Sequence, residues 1–85
     1  MRKSEITPEL IKLSKKAKDL GFPQDVERGD WVCDVTDDEL YLIETLKEEG
    51  DVLILSFSRC EAFFGKDVSK LHEDSARKVI EKLQK

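Results

Sequence analysis

Residues 20–32 constrain the fold of this chain most, because they end one helix and begin one strand. Gly21 can adopt the left-handed conformation that ends a helix, and Phe22 can then fold back onto the last helical turn. Pro23 lacks a backbone N–H and prevents the helix from resuming. After a short loop, the only tryptophan, Trp31, opens a segment with the alternation of a strand. The segment therefore predicts a helix followed directly by a sheet.

The residues before this segment predict a long amphipathic helix. Thr7 is a good N-cap, and Pro8 suits the first helical position because its missing N–H costs nothing there. The apolar positions recur at alternating spacings of four and three and form one stripe: Ile6, Leu10, Leu13, Ala17 and Leu20. We expect most of the lysines of this helix to face solvent: Lys12, Lys15, Lys16 and Lys18.

Three apolar runs after the helix predict strands. Trp31, Cys33 and Val35 alternate with other residues, while 40–43 and 52–55 are short runs suited to a sheet. Turn-like segments at 37–38 and 47–51 separate the three runs. A helix over 37–49 is the alternative, since Thr36 and Glu39 have the spacing of a capping box. We favour the strand interpretation, in which 31–43 form a hairpin.

Two helices are predicted to close the chain. Ser58 and Glu61 form a second capping box, which predicts a short helix over 59–64 that ends at Gly65, with a fourth strand as the alternative. Apolar positions then recur at i, i+3, i+4 and i+7, which predicts a last helix that starts at Asp74 or Ser75. These positions are Ala76, Val79, Ile80 and Leu83.

The predicted order α-β-β-β-α-α indicates a small two-layer α+β domain that spans residues 1–85. We expect a three-stranded antiparallel meander covered by the N- and C-terminal helices; the helix over 37–49 would give α-β-α-β-β-α instead. The predicted core consists of Leu13, Ala17, Phe22, Trp31, Leu42, Ile54, Phe63, Val79, Ile80 and Leu83.

Composition narrows the class of protein. A chain of 85 residues leaves little room for an enclosed active site. No apolar run has the length of a membrane span and no signal-peptide pattern is visible, so we expect a cytoplasmic protein. We expect Cys33 and Cys60 to be reduced and at least partly buried. The 40% of charged residues is typical of proteins from hot environments, and equally of small soluble helix-rich domains.

The run from Gly21 to Gln24, followed by Trp31, resembles a group of small phage- and prophage-encoded proteins. In that group a Gly-Phe-Pro-Gln-like turn ends a helix, a hairpin rich in Trp and Tyr follows, and a strand then leads into a short capped helix, as residues 52–64 do here. This chain departs from the pattern at Ser56, where the group usually has proline, and it has few aromatic residues. The resemblance implies the order of elements and carries no activity or catalytic residues.

Charge is concentrated in the middle of the chain. Residues 25–51 contain eleven Asp or Glu and two Lys or Arg, a net charge of −9, whereas both flanking segments are mildly basic. We expect an interaction surface on this acidic sheet, formed by Gln24, Asp25, Glu27, Asp34, Asp37, Asp38, Glu39 and Tyr41. Three adjacent carboxylates at 37–39 could bind a cation, but they lack the spacing of a calcium loop, so we expect a solvated turn and no metal.

Individual residues give no catalytic constellation. His72, the only histidine, would need a partner such as Cys60 or Glu73 for catalysis, and a surface position before a helix is the simpler interpretation. The aromatic residues that could form a platform are Trp31, Tyr41, Phe57 and Phe64. The first two lie in the acidic segment and the others near it, which argues against direct nucleic-acid binding.

We therefore expect a non-enzymatic binding or accessory protein that acts on a protein partner and needs no cofactor. An acidic mimic of nucleic acid that inhibits a basic protein is one alternative, since carboxylates on a sheet can imitate phosphates. A small enzyme and a nucleic-acid binder are the others. A homodimer is expected only if the free face of the sheet is apolar.

Overall fold

A computed structural model of the chain describes residues 2–34, 39–44, 51–66 and 71–85. One turn of 3-10 helix, Lys3–Glu5, precedes the main helices and strands. The main elements are α1 (Pro8–Asp19), β1 (Trp31–Cys33), β2 (Leu40–Leu42), β3 (Val52–Leu53), α2 (Phe57–Phe64) and α3 (His72–Leu83). The predicted α+β class and the order α-β-β-β-α-α are confirmed.

The ends of α1 follow the sequence prediction. At the start, the Thr7 hydroxyl oxygen accepts a hydrogen bond from the backbone N–H of Leu10 at 3.1 Å. At the end, Phe22 N donates to Ala17 O at 2.9 Å and Gly21 N donates to Lys18 O at 3.0 Å. This pair of bonds is a Schellman motif, which requires the positive φ of +100° found at Gly21.

The sheet has the strand order β2-β1-β3 and both pairs are antiparallel. The predicted meander is therefore wrong, because a meander would place β2 in the centre. Val32 and Cys33 of β1 are fully buried, whereas Tyr41 and Leu42 of β2 are 44% and 45% exposed. The more buried strand takes the central position, and β2 lies at an edge.

The strand interpretation of the acidic segment is confirmed where the structure describes it. Leu40–Leu42 pairs with Trp31–Cys33, so the alternative helix over 37–49 is wrong for residues 39–44. The turn at 37–38 and residues 45–49 lie outside the described residues.

Two side chains close the outer edge of β3. Leu53 N donates to the side-chain oxygen of Gln24 at 3.0 Å, and Leu55 N donates to the hydroxyl of Ser14 at 3.1 Å. Ser14 is fully buried and its hydroxyl also donates to Leu10 O at 2.8 Å. These bonds attach β3 to α1 and its following loop, because they satisfy main-chain donors that face away from β1.

Both later helices start earlier than predicted. Ser56 rather than Ser58 caps α2, since its hydroxyl accepts from Arg59 N at 3.2 Å. Gly65, at φ +74°, ends α2 as predicted, and no fourth strand forms there. Helix α3 begins at His72 rather than at Asp74 or Ser75. Its N-cap residue is Leu71, whose side chain makes no capping hydrogen bond.

The helices cover the sheet and one another. α1 packs against β3 and α3, and α2 packs against α3. At the start of these helices the Thr7 hydroxyl donates to Glu73, and the Arg77 guanidinium lies 3.8 Å from Glu9. The start of α1 therefore lies beside the start of α3, so that the first and last helices of the chain pack together.

The core agrees with most of the predicted set. Ala17, Phe22, Ile54, Val79 and Ile80 are buried, and Leu13, Trp31, Phe63 and Leu83 are partly buried against them. Leu42 is the exception, because it lies on the edge strand. Cys33 and Cys60 are free thiols and fully buried, as expected. No helix among the described residues is both long and apolar enough to cross a membrane.

We predict that Gln24→Ala lowers the free energy of unfolding by about 1–3 kcal/mol, because the Leu53 N–H then has no acceptor inside the protein. Gln24→Glu is the comparison variant: it keeps an acceptor for Leu53, but it replaces the amide nitrogen that donates to Phe22 O at 2.9 Å with a second oxygen and adds a negative charge. Urea unfolding of the two variants measures the difference. Equal stability of Gln24→Ala and the unmodified protein would contradict the role assigned to this bond.

Candidate functional site

A cleft of about 420 Å³ opens between the start of α2, the start of α3 and the loop before β1. This volume lies within the range of small-molecule sites. Its walls combine the aromatic residues Trp31 and Phe57 with polar side chains that include Glu5, Asp30 and His72. Whether these polar side chains can act in catalysis depends on the hydrogen bonds that they already make.

His72 at the cleft joins three elements of the fold. Its Nδ1 accepts a hydrogen bond from Phe57 N at 2.9 Å, at the first residue of α2. Its ring stacks on Phe57 with centroids 5.2 Å apart. Because Nδ1 is an acceptor, the ring proton lies on Nε2, which is 3.3 Å from a carboxylate oxygen of Glu5. His72 is therefore a largely buried structural residue within α3, not a surface residue before it.

The pairing of His72 with Glu5 resembles a catalytic dyad, but the second ring nitrogen is already occupied. The bond that Arg2 N donates to Glu5 at 2.6 Å, followed by the bond from His72, lowers the pKa of the Glu5 carboxyl. Nδ1 would have to release Phe57 N before it could accept a proton from a substrate. In this arrangement His72 fixes the start of α2 and has no nitrogen available for acid–base work.

Cys60 faces the core rather than the cleft. Burial, and secondly the charge of Glu61, raises the pKa of its thiol to about 12. A thiol must ionise to act as a nucleophile, so this environment suppresses its reactivity. The structure does not pair Cys60 with His72, whose ring nitrogens bond to Phe57 and Glu5.

A second ionic contact closes one side of the cleft. The Arg59 guanidinium of α2 binds the carboxylate of Asp30, and the same carboxylate accepts a hydrogen bond from Glu27 N at 2.7 Å. Both charged side chains are about four-fifths buried. The contact links the loop before β1 to α2, so these charges hold the walls of the cleft together.

The predicted interaction surface is divided between the two edges of the sheet. Gln24 turns inward and bonds to β3, whereas Glu39 and Tyr41 lie on or beside β2 at the opposite edge. The Tyr41 hydroxyl donates to Glu39 at 2.9 Å, and Asp34 N donates to Glu39 O at 2.8 Å. The structure therefore brings together Asp34, Glu39 and Tyr41 and separates Gln24 from them.

The remaining predicted surface residues do not join this cluster. Asp25 and Glu27 are exposed in the loop between α1 and β1. Asp37 and Asp38 lie outside the described residues, so the predicted turn and the cation hypothesis at 37–39 stay predictions. Among the residues that the structure describes, no group of three or more His, Cys, Asp and Glu could hold a metal ion.

Sequence reasoning missed two residues beside the cluster. Leu42 was expected in the core because residues 40–43 are a continuous apolar run, but it is 45% exposed. Glu44, two residues after the end of β2, is exposed as well. Apolar composition alone could not identify which residues of the run face solvent, because that depends on the strand order.

The aromatic platform does not form as a single surface. Trp31 and Phe57 line the cleft, while Phe64 packs on the Phe63 ring at 5.5 Å with the Lys82 amine above it. Tyr41 lies on β2, which is an edge strand of the sheet.

No protein-family model, curated protein or solved structure matches this chain. The site is therefore interpreted from its own geometry.

We predict that His72→Phe lowers the free energy of unfolding by about 1–3 kcal/mol, because it leaves the Phe57 N–H without an acceptor. His72→Asn is the matched control, since its side-chain oxygen lies near the position of Nδ1. Amide hydrogen exchange at Phe57 should become faster in His72→Phe than in His72→Asn. The same exchange rate in both variants would contradict the capping role.

We predict that stability falls as pH rises above 9.0, partly through Cys60. The thiol in the unfolded chain ionises near 9.0, whereas the folded thiol stays protonated up to about pH 12. The unfolded state then binds fewer protons than the folded state, so the free energy of unfolding decreases across this range. Urea unfolding of Cys60→Ala against pH should show a shallower decrease. An unchanged slope would show that burial of Cys60 does not contribute.

Proposed function

We propose that this protein is a non-enzymatic binding protein that recognises a basic protein partner through one edge of its sheet. We name this surface the acidic edge and define it as Asp34, Glu39, Tyr41, Leu42 and Glu44. The observation that carries the proposal is the exposure of Tyr41 and Leu42, at 44% and 45%, between carboxylates on an edge strand.

The composition of the acidic edge resembles that of a protein interface. Interfaces combine an aromatic or aliphatic centre with a polar rim. Here Tyr41 and Leu42 supply the apolar contacts, one on each face of the edge strand, and Glu39 and Glu44 flank them along the chain. The net charge of −9 over residues 25–51 favours a partner of opposite charge and speeds its association.

A simpler explanation is that the carboxylates only protect the edge strand. Charged residues on edge strands discourage aggregation, and this role needs no partner. Protection alone does not explain why Tyr41 and Leu42 project beside those charges, since polar residues there would protect the edge better. The two explanations differ in what they expect when only the apolar pair is replaced.

An acidic mimic of nucleic acid is the second candidate. Its carboxylates would occupy the phosphate-binding cleft of a basic protein, so added DNA should compete with it. The exposed Asp25 and Glu27 would contribute to such a surface in addition to the acidic edge. The cytoplasmic location, a homodimer and the phage or prophage origin indicated by residues 21–24 stay predictions.

We predict that the double variant Tyr41→Ser/Leu42→Ser loses a specific partner from a lysate of the native host. The apolar centre supplies the contact and the carboxylates supply the orientation, so capture should also decrease at high salt. Quantitative mass spectrometry of proteins retained by each immobilised variant measures this.

Leu71→Ser is the matched control, because Leu71 is 63% exposed and does not belong to the acidic edge. A partner retained by Leu71→Ser and lost by the double variant supports the proposal. A partner retained equally by all three proteins would contradict it. A partner released by duplex DNA would favour the nucleic-acid mimic.

A further inference from the structure

The hydrogen bonds between β1 and β2 determine which main-chain groups of β2 face outward. Asp34 N donates to Glu39 O, and Ile43 N donates to Asp30 O, each at 2.8 Å. In an antiparallel pair, such bonds recur at every second residue. The odd-numbered residues of β2 and of its two flanking positions therefore direct their main-chain N–H and C=O groups toward β1.

The even-numbered residues of β2 direct their main-chain N–H and C=O groups away from β1. Leu40 and Leu42 pair with Cys33 and Trp31 at the non-bonded positions of the ladder. Within the described residues, their outward N–H and C=O groups have no hydrogen-bond partner. They form a short template to which a further strand can bind.

The opposite edge of the sheet offers no such template. The outward N–H groups of β3 and of the residues after it are satisfied by Gln24 and Ser14, at 3.0 Å and 3.1 Å. Of the two edges described, β2 is therefore the one with outward N–H groups left for a segment that extends the sheet.

We propose that a basic, extended polypeptide segment of a partner adds to β2 as a fourth strand. This inference rests on the proposed function and specifies how the acidic edge binds. Glu39 directly precedes β2, and Glu44 follows it after Ile43, so a carboxylate lies just beyond each end of the strand. A segment with lysine or arginine near both of its ends would meet a carboxylate at each.

A second copy of this chain is a poorer occupant. Two β2 strands side by side would bring two copies each of Glu39 and Glu44 close to one short ladder. These like charges would repel one another, and the acidic edge contains no basic residue to compensate them. Charge complementarity therefore favours a basic segment over a homodimer.

Side chains on the added strand would meet Leu42 on one face and Tyr41 on the other. Both are about half exposed, and small β-branched residues would pack against them without displacing the flanking carboxylates. A peptide with three central valines and two lysines at each end satisfies these requirements, because adjacent residues of a strand face opposite sides, and it provides the probe.

The test titrates the protein with the peptide acetyl-Lys-Lys-Val-Val-Val-Lys-Lys-amide at about 50 mM salt, where exposed charges are weakly screened. We expect shifts of the Leu40 and Leu42 amides in nitrogen–proton spectra. A version N-methylated at two adjacent central residues blocks both edges of the peptide. It should bind about tenfold more weakly, because it loses main-chain bonds while its side chains and charge stay the same.

Two variants of the protein test the same hydrogen bonds by changing β2 instead of the peptide. Leu42→Pro removes an outward N–H, which an edge strand tolerates because that group makes no bond to β1. Leu42→Ala loses most of the side chain but keeps the N–H. We expect Leu42→Pro to bind the peptide about fivefold more weakly than Leu42→Ala, in line with the loss of one hydrogen bond.

Four outcomes would overturn the proposal. Equal binding of the methylated and unmethylated peptides, with equal binding by the two variants, would show contact through side chains alone and leave the proposed function intact. Equal binding of acetyl-Glu-Glu-Val-Val-Val-Glu-Glu-amide would remove the charge argument. A dimer in sedimentation that Leu42→Pro abolishes would assign β2 to a second copy. No binding of the basic peptide would exclude strand addition, and the capture experiment would then decide the proposed function separately.

Discussion

The hydrogen bonds that Ser14 and Gln24 accept from the outer edge of β3 are the constraint on which the sheet depends. Leu53 and Leu55 are fully buried, and their N–H groups face away from β1. A buried main-chain donor without an acceptor would cost about as much as a lost hydrogen bond. Because two side chains from α1 and its following loop supply these acceptors, β3 can stay buried and short at an edge. β1 then occupies the centre, and β2 takes the remaining position.

Local features of the fold were predictable from the sequence because their partners lie within a few residues. The Schellman motif at Gly21 and Phe22 depends only on the last turn of α1, and the Thr7 cap depends only on the first turn. The strand order was not predictable, since it depends on Gln24 meeting Leu53, which is 29 residues away. The mistaken meander and the mistaken burial of Leu42 have this single cause.

The candidate site was predictable in part for the same reason. Asp34, Glu39 and Tyr41 come together because a hairpin brings near neighbours in sequence into contact. Gln24 looked like a surface residue because an amide side chain after a proline gives no indication of a distant partner. The partners of His72 were equally hidden: Phe57 is 15 residues away and Glu5 is 67 residues away. A single histidine in the sequence indicates neither of these two partners.

The packing of α1 beside α3 has a consequence for when the chain can fold during its synthesis. Thr7 and Glu73, whose side chains bond at the start of these helices, are separated by 66 residues. Contacts between such distant residues form late, because the intervening chain must first be ordered. The apolar stripe of α1 therefore stays partly uncovered on the ribosome until α3 has emerged. Lys12 and Lys16, which are exposed on α1, add charge beside this stripe and oppose aggregation at that stage.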